Sequence, residues 1–374
     1  MAYTELVPYG AQHASWVPHC VSGDERQSSL APQTQDGSSP VRHTPAYGRK
    51  SVRRLFSGHR ISTAAQTVVL SAWRETTQVR YEAIVAKWEE FCTRTGCDPI
   101  YTTVSNVVNF MAESFSRGTG YRTTCLHRSA LNSYVTLTEG MPVTDHPLVK
   151  RFVAGVFNLR PPMPRYIQVW NVGVVISYLR SLGETEALSL HQLTLKLNAL
   201  LCILTAQRVS SLHSLLKSRM TLTTDRVAFV PASVLKHHRQ GKKIKPFVVR
   251  AYPDDPTVCV VRTLEVYLQR RRGTSDQLLQ CHRSPYGPAS KSTIARWLKE
   301  VLRAAGVDTS VYSAHSYRRA ASSAPNRVSL PVSKILARGQ WSSEDTWRNH
   351  YDLPVEGCDD DDEYNEEFLN HFRS

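Results

Sequence analysis

The sequence has 374 residues, of which 41% are hydrophobic, so it is long enough for two globular domains with tails. It has no apolar run that could span a bilayer and no secretory signal at its start, so we expect neither a membrane protein nor a secreted one. The net charge is +14, and because eight of the 32 acidic residues but only one of the 46 basic residues lie at 355–374, the remainder carries +21.

This basic balance favours a polyanionic partner, with nucleic acid the first candidate. The alternative is a basic protein with no nucleic-acid role. The eight cysteines are scattered along the chain; only Cys92 and Cys97 lie close together, and no Cys or His pair lies at a matching distance to complete a zinc site. We therefore predict neither disulfides, nor a metal, nor a cofactor.

The first segment, 1–63, is rich in serine, proline and glycine and has no sustained hydrophobic period. Such a composition predicts a disordered basic tail. Its basic cluster at 49–54 (RKSVRR) could be a nuclear-import signal, a DNA-contacting arm or a solvated linker. A nuclear location is therefore an expectation.

The next segment, 64–160, contains four stripes of apolar residues at helical spacing, and together they predict a small helical bundle. The first stripe comprises Tyr81, Ile84, Val85, Trp88 and Phe91. The second and third lie at 107–115 and 126–135, and the fourth helix begins at Pro147, a favoured first-turn residue. Three prolines at 161–166 then forbid a helix and predict an interdomain linker.

The pattern of 167–354 is mixed. Helical stretches are predicted near 171–182, 189–204, 257–271 and 291–305, with shorter ones at 332–337 and 343–350. Two strand-like runs, 226–230 and 244–249, flank a polar and basic segment and predict a β-hairpin. The predicted fold class is thus mainly α with a small β-sheet, a helical bundle followed by an α+β domain. The acidic residues at 355–374 form a C-terminal tail.

The most informative motif in this second domain is His315-Ser316-Tyr317-Arg318. Residues three apart share one face of a helix, so His315 and Arg318 could address one phosphate together. The arginine fork grips phosphate through two hydrogen bonds and stays charged. Alone, however, the pattern H-x-x-R is common by chance, and an exposed helix pair is its ordinary interpretation.

Other residues add to this motif. Arg208 follows a long apolar run, where a charge needs a partner or an anionic ligand. Lys236 lies in the hairpin connection and could reach into a groove as a proton donor. The indole N–H of Trp341 could bond a phosphate oxygen while its ring packs. Tyr351 follows ten residues later and is the candidate nucleophile.

In order and spacing, these residues resemble the tyrosine recombinases, also called phage integrases. The matching set is Arg208, Lys236, His315, Arg318, Trp341 and Tyr351. The wording at 70–74 and 88–92, together with 339–347, is most similar to the recombinases of DIRS-type retrotransposons. The resemblance spans about 64–354 and implies a helical core-binding domain (SAM-like) before a catalytic domain of the DNA breaking-rejoining type.

The resemblance also implies a mechanism, in which Tyr351 attacks the scissile phosphate to give a 3′-phosphotyrosyl link. Arg208 and Arg318 would stabilise the transition state, and His315 would act as acid and base. Lys236 would protonate the leaving 5′-oxygen, and Trp341 would buttress the phosphate. The implied enzyme is a site-specific recombinase or integrase of a mobile element, working on double-stranded DNA as a homodimer or tetramer.

Several alternatives remain open. Many relatives carry an acidic residue where this chain has Ser211, and Lys236 competes with Lys242, Lys243 and Lys245. Tyr312 and Tyr317 are rivals of Tyr351. The acidic tail could be solvated, compete with DNA, or dock on a neighbouring subunit. The chain could also be a catalytically silent, domesticated DNA-binding protein, or an enzyme similar to type IB topoisomerases.

Overall fold

The structure is a computed structural model that describes residues 61–232, 245–327 and 330–356, without the side chains of 326 and 327. The chain divides into two compact units, Met1–Pro161 and Pro162–Ser374. The boundary falls at the start of the proline-rich segment 161–166. Within the described ranges, every helix is too short or too polar to cross a bilayer.

The described part of the first unit is helical. Its helices are α1 (Thr63–Leu70), α2 (Glu75–Thr95), α3 (Val104–Ser116), α4 (Tyr121–Asn132) and α5 (Pro147–Leu159). The four predicted helices are present as α2 to α5, and Pro147 occupies the first turn of α5 as expected. Helix α1 was not predicted, because its eight residues show no clear apolar stripe and only Leu70 is buried.

Aromatic residues fill the core of this unit. Trp88 of α2 is stacked on Phe91 at 5.6 Å and meets the edge of Phe110 of α3 at 5.4 Å. Its indole N–H donates to the carbonyl of Pro99 at 2.8 Å, so the buried polar end is satisfied. The predicted stripe of α2 therefore faces this core, whereas Leu148 and Phe157 of α5 are exposed.

The third predicted stripe differs in one respect. Helix α4 ends at Asn132, and the chain turns so that the Tyr134 hydroxyl donates to Glu89 at 2.6 Å. The following residues form β2 (Thr136–Leu137), which pairs in parallel with β1 (Tyr101–Thr102). Tyr134 and Val135 are buried as predicted, but outside the helix.

The second unit mixes helices with a three-stranded sheet. Its helices are α6 (Val172–Ser181), α7 (Leu190–Thr205), α8 (Val209–His213), α9 (Val260–Arg270), α10 (Lys291–Ala304), α11 (Ser316–Arg327), α12 (Val332–Gly339) and α13 (Glu344–Tyr351). Short 3-10 turns lie at Thr185–Ala187, Lys217–Arg219 and Pro256–Val258. The predicted fold class, mainly α with a small sheet, is confirmed.

Helix α7 is the central element of this unit. Twelve of its sixteen residues are buried, most of them apolar, as expected for a helix that is surrounded by others. It packs against α9, α10 and α11. A capping box between Ser189 and Gln192 fixes the start of the helix. Because the helix is rigid and packed on several sides, its C-terminal end is also held in position.

The sheet has the order β3 (Met220–Leu222), β4 (Arg226–Phe229) and β5 (Phe247–Arg250), all antiparallel. Strands β4 and β5 are the predicted hairpin, paired so that Phe229 lies opposite Phe247. Strand β3 was not predicted, since three residues are too few to show an alternating pattern. The connection at 233–244, which includes Lys236, lies outside the described residues.

Candidate active site

The end of α7 directs Arg208 into the site. The helix stops at Ala206, which adopts a left-handed conformation with φ 49°. A residue other than glycine adopts this conformation at a cost of about 1–2 kcal/mol, and such outliers gather at functional sites. Two residues later, Arg208 occupies the position just before α8.

Arg318 is the buried centre of the site. It lies in the first turn of α11, and only 2% of its surface is exposed. Its guanidinium donates through Nη1 to the carbonyl of Ala206 and through Nη2 to that of Gly339 at 2.9 Å. Both carbonyls lie at the C-terminal ends of helices, where a positive charge is favoured. Arg318 therefore joins α7 to α12.

Trp341 covers this guanidinium. Its ring centroid lies 4.1 Å from the Arg318 guanidinium carbon, a cation–π contact. The approach depends on Gly339, because a Cβ there would lie 1.6 Å from a ring carbon of Trp341. Gln340 between them is left-handed, with φ 54°, and ends α12. The tryptophan is thus held by backbone geometry as well as by packing.

Tyr351 is the last residue of α13 and completes the cluster. Its ring lies 5.0 Å from that of Trp341, and its hydroxyl is 3.3 Å from Nη2 of Arg208, which can donate to it. Burial raises the pKa of the Tyr351 phenol, but the charges and hydrogen bonds of Arg208 and Arg318 outweigh that effect and lower its pKa below the ordinary value. The cluster favours the phenolate, the form that acts as a nucleophile.

The two arginines have spare donors and no acidic partner. Among the described residues, Arg208 Nη1, Arg318 Nε and Trp341 Nε1 are buried without a hydrogen-bond partner, and neither arginine forms an ion pair. Burial, and then the charge of Arg208, lower the pKa of Arg318 to about 10. Adjacent buried cations of this kind are stabilised by an anion, and an arginine fork suits a phosphate.

His315 lies in the turn immediately before α11, exposed, rather than inside the helix. It lines a cleft of about 600 Å³ together with Arg208 and two cations of α10, Arg296 and Lys299. His315 and Arg208 therefore face the same open space. Arg318, three residues further on, points into the protein interior to its two carbonyls.

Comparisons with known proteins place the cluster within a region that a known family model matches. The model of the phage integrase family matches residues 179–354, which hold the whole cluster. Residues 179–354 are therefore similar to phage integrase domains. No curated protein matches the sequence. The subgroup of DIRS-type recombinases is not distinguished by this match.

Several solved structures are similar to this chain in fold. A XerH site-specific recombinase in a post-cleavage complex with palindromic difH substrate has a TM-score of 0.52 at 12% identity, over 79% of this chain and 80% of that chain. The Tn1549 transposon integrase with transposon right end DNA has a TM-score of 0.51 at 11% identity, over 87% and 99%. Its complex with circular intermediate DNA has a TM-score of 0.51 at 10% identity, over 85% of this chain and 98% of that chain. The fold of this chain is therefore that of the tyrosine recombinases.

Within residues 179–354, four predicted site residues are brought into one cluster. These are Arg208, Arg318, Trp341 and Tyr351. His315 borders the same cleft as Arg208, whereas Lys236 lies outside the described residues. Among the residues that the structure describes, no group of three or more His, Cys, Asp or Glu could hold a metal ion.

The two rival tyrosines serve packing. Tyr317 is buried and donates to the carbonyl of Leu298 at 3.1 Å. Tyr312 is also buried, and its hydroxyl donates to Glu356 at 2.6 Å. Burial and that carboxylate raise the pKa of Tyr312, which opposes a role as nucleophile. Tyr351 is the tyrosine that meets the arginines.

Sequence reasoning missed the residues that build the frame of the site. Gly339 was quoted only as part of a motif, although a glycine at a helix end is a usable signal of close approach. The left-handed Ala206 and the buried Ser323 gave no signal, because their roles depend on partners far away in sequence. The serine at position 211 is buried within α8 and carries no charge to support Arg208.

Proposed function

We propose that this chain is a site-specific DNA recombinase or integrase of a mobile element, which cleaves and rejoins DNA through a 3′-phosphotyrosyl intermediate. The observation that carries this proposal is the contact of Tyr351 with Arg208 beside the buried Arg318. It combines a nucleophile with a lowered pKa and two cations whose donors remain free for a phosphate. The shared fold supports the same conclusion.

In the proposed reaction, the Tyr351 oxygen attacks phosphorus at the scissile phosphodiester. A bond forms between Oη and phosphorus, and the bond from phosphorus to the 5′-oxygen breaks. The product is a phosphotyrosine on the 3′ side and a free 5′-hydroxyl. Because one phosphodiester replaces another, the bond energy is conserved, and a 5′-hydroxyl from a second strand can reverse the step. No nucleotide is consumed.

The arginines are proposed to stabilise the negative charge of the transition state. Arg208 has Nη1 free and can exchange its contact with Tyr351 for one with a nonbridging oxygen. Arg318 is fixed by two carbonyls and retains Nε, a buried donor that would reach a phosphate once the covering side chains move. Preorganised donors of this kind are usually the largest contribution to catalysis. The indole N–H of Trp341 would add a third.

Two proton transfers complete the cycle. We propose that His315, at the edge of the cleft, accepts the phenol proton and later returns it. A lysine would protonate the leaving 5′-oxygen. Lys236 is the first candidate, and the nearby Lys242, Lys243 and Lys245 are its competitors.

The proposed partner is double-stranded DNA, bound by a homodimer or tetramer. The net charge of +14 predicts an affinity that falls steeply with salt, because bound phosphates release counterions. The XerH and Tn1549 structures named above are complexes with DNA. Membership of the DIRS-type group and a nuclear location, suggested by the basic cluster at 49–54, are part of this proposal.

The decisive experiment is a trapping assay that does not require a known target. A pool of labelled duplexes of randomised sequence, each with a 5′-bridging phosphorothiolate, is incubated with the protein and resolved on a denaturing gel. We expect a covalent adduct with the wild type and none with Tyr351→Phe. The phosphorothiolate leaves a thiol that cannot rejoin efficiently, so adducts accumulate.

Each other outcome has a clear meaning. An adduct that persists in Tyr351→Phe would assign the nucleophile elsewhere. No adduct from the wild type, with salt-dependent DNA binding retained, would favour a domesticated DNA-binding protein. Relaxation of supercoiled plasmid by a monomer, without strand exchange, would favour an enzyme of the type IB topoisomerase kind.

A further inference from the structure

The main chain next to Tyr351 is held by one buried hydroxyl group. Ser323 Oγ donates to the carbonyl of Tyr351 at 2.7 Å and accepts from the N–H of Leu353 at 3.0 Å. The side chain belongs to a residue with 0% of its surface exposed. Both hydrogen bonds are therefore buried at the serine end, and together they fix the backbone on either side of Asp352.

This anchor answers a local need. Tyr351 is the last residue of α13, a helix of only eight residues, and carbonyls at a helix end lack intrahelical donors. A short helix also frays readily at its end. By supplying a donor to the Tyr351 carbonyl, Ser323 stabilises the last turn at the residue whose position matters most.

The same anchor relates the tyrosine to the arginine. Ser323 and Arg318 lie on one helix, α11, so their separation is set by a rigid element. Arg318 stacks near the Tyr351 ring, with its guanidinium carbon 5.1 Å from the ring centroid. Helix α11 thus positions both the backbone of Tyr351, through Ser323, and the guanidinium of Arg318 beside the tyrosine ring.

Beyond Leu353, the chain is held a second time. Val355 forms a parallel bridge with Val169, through Val169 N–H to the Pro354 carbonyl at 2.8 Å and Glu356 N–H to the Val169 carbonyl at 2.8 Å. Tyr312 adds its hydrogen bond to Glu356. These contacts anchor the chain further out, and Ser323 is the contact that touches the residue of Tyr351 itself.

We infer that Ser323 is a positioning residue, whose hydroxyl sets the distance between the Tyr351 phenol and the two arginines. The inference rests on the proposed function for its catalytic meaning. It concerns placement only, since Ser323 does not reach the phenol or a phosphate.

The test measures the phenol directly and needs no DNA. The ultraviolet titration curve of Tyr351→Phe is subtracted from that of the wild type, which isolates the ionisation of one tyrosine. The same subtraction is made in the background of Ser323→Ala. Removing the anchor lets the phenol move away from the arginines, so its pKa should rise by about 0.5–1 pH unit towards the ordinary value.

The neighbouring serine supplies a matched control. Ser322 lies on the same helix with 0% of its surface exposed, but its single proton has a nearer acceptor, the Arg319 carbonyl at 3.0 Å, than the Tyr351 carbonyl at 3.4 Å. Ser322→Ala removes an equally buried hydroxyl and should leave the pKa of Tyr351 unchanged. Cysteine is close to serine in shape but is a weak hydrogen-bond donor, so Ser323→Cys should also raise the pKa of Tyr351. This variant replaces Ser323→Ala if the alanine variant fails to fold.

An unchanged pKa in the Ser323 variants, or an equal rise in Ser322→Ala, would overturn the inference. Where the wild type forms the DNA adduct, Ser323→Ala should form it about 10–100-fold more slowly at unchanged DNA affinity, because small displacements of a reacting atom are costly. If the wild type forms no adduct, the proposed function fails while the titration still decides the role of Ser323.

Discussion

Replacing Arg318 by lysine isolates the structural role of its fork. The guanidinium reaches two carbonyls, those of Ala206 and Gly339, and its face contacts Trp341. Lysine keeps the charge but is a point donor that cannot span both acceptors. One buried carbonyl then loses a charge-assisted hydrogen bond, at about 1.5–3 kcal/mol, and the weaker contact with the indole adds about 0.5–1 kcal/mol.

We therefore expect Arg318→Lys to lower the free energy of unfolding of the second unit by about 2–4 kcal/mol. The control is Arg338→Lys on α12, because Arg338 is exposed and its Nη1 donates to one carbonyl, that of Val248, at 2.5 Å. In Arg338→Lys the ammonium group can replace the single N–H that donates to Val248, so the loss in the free energy of unfolding should stay below about 1 kcal/mol.

The assay is native-state hydrogen exchange in urea, read in peptides from α11 and α12, since a chain of two units need not unfold in one step. The reasoning predicts a difference between the two variants. If Arg318→Lys and Arg338→Lys lose the same stability within about 0.5 kcal/mol, the bridge between two helix ends contributes nothing measurable and our account of Arg318 is wrong.

Three further predictions use other parts of the chain. Arg208→Ala should raise the pKa of Tyr351 in the same difference titration, because it removes the strongest charge effect that lowers it; no rise would exclude that contact. Gly339→Ala should destabilise the second unit by at least about 2 kcal/mol, because the new Cβ would clash with the indole ring of Trp341. Gly155→Ala on α5, where the new Cβ would meet nothing, should instead stabilise the first unit by about 0.5–1 kcal/mol. Equal effects of the two variants in hydrogen exchange would contradict this prediction. Burial, with the charges of nearby basic residues, lowers the pKa of His127 from 6.5 to about 4. Between these pH values only the unfolded chain binds a proton at His127, so the free energy of unfolding of the first unit should fall by about 2 kcal/mol from pH 7 to pH 4.5. A His127→Leu variant that loses the same stability over this range would refute the assignment.

Much of the architecture could be predicted from the sequence because it depends on local periodicity. The apolar stripes of α2 to α5, the buried helix α7 and the hairpin of β4 and β5 each show their period over several residues. Strand β3 and helix α1 could not be predicted, because three residues and a weakly patterned eight carry too little signal. The end of α4 was misjudged because apolar residues continue past it into a turn.

For the site, residue types and spacing were sufficient to select Arg208, Arg318, Trp341 and Tyr351, which the structure brings together. Their catalytic roles stay predictions. The supports of the site were beyond prediction, since a buried serine such as Ser323 becomes meaningful only when its distant acceptor is known. Pairings between residues far apart in sequence are decided by the packed structure.

The bridge between Val169 and Val355 has a consequence for how the second unit could be combined with segments of other proteins. It joins a segment near the start of the second unit to one just after Tyr351, so the two ends of the described α+β fold lie side by side. A unit whose first and last segments lie side by side can be inserted into another chain, or receive new flanking segments. This proximity favours exchange of the whole unit, with new flanking segments attached at one edge.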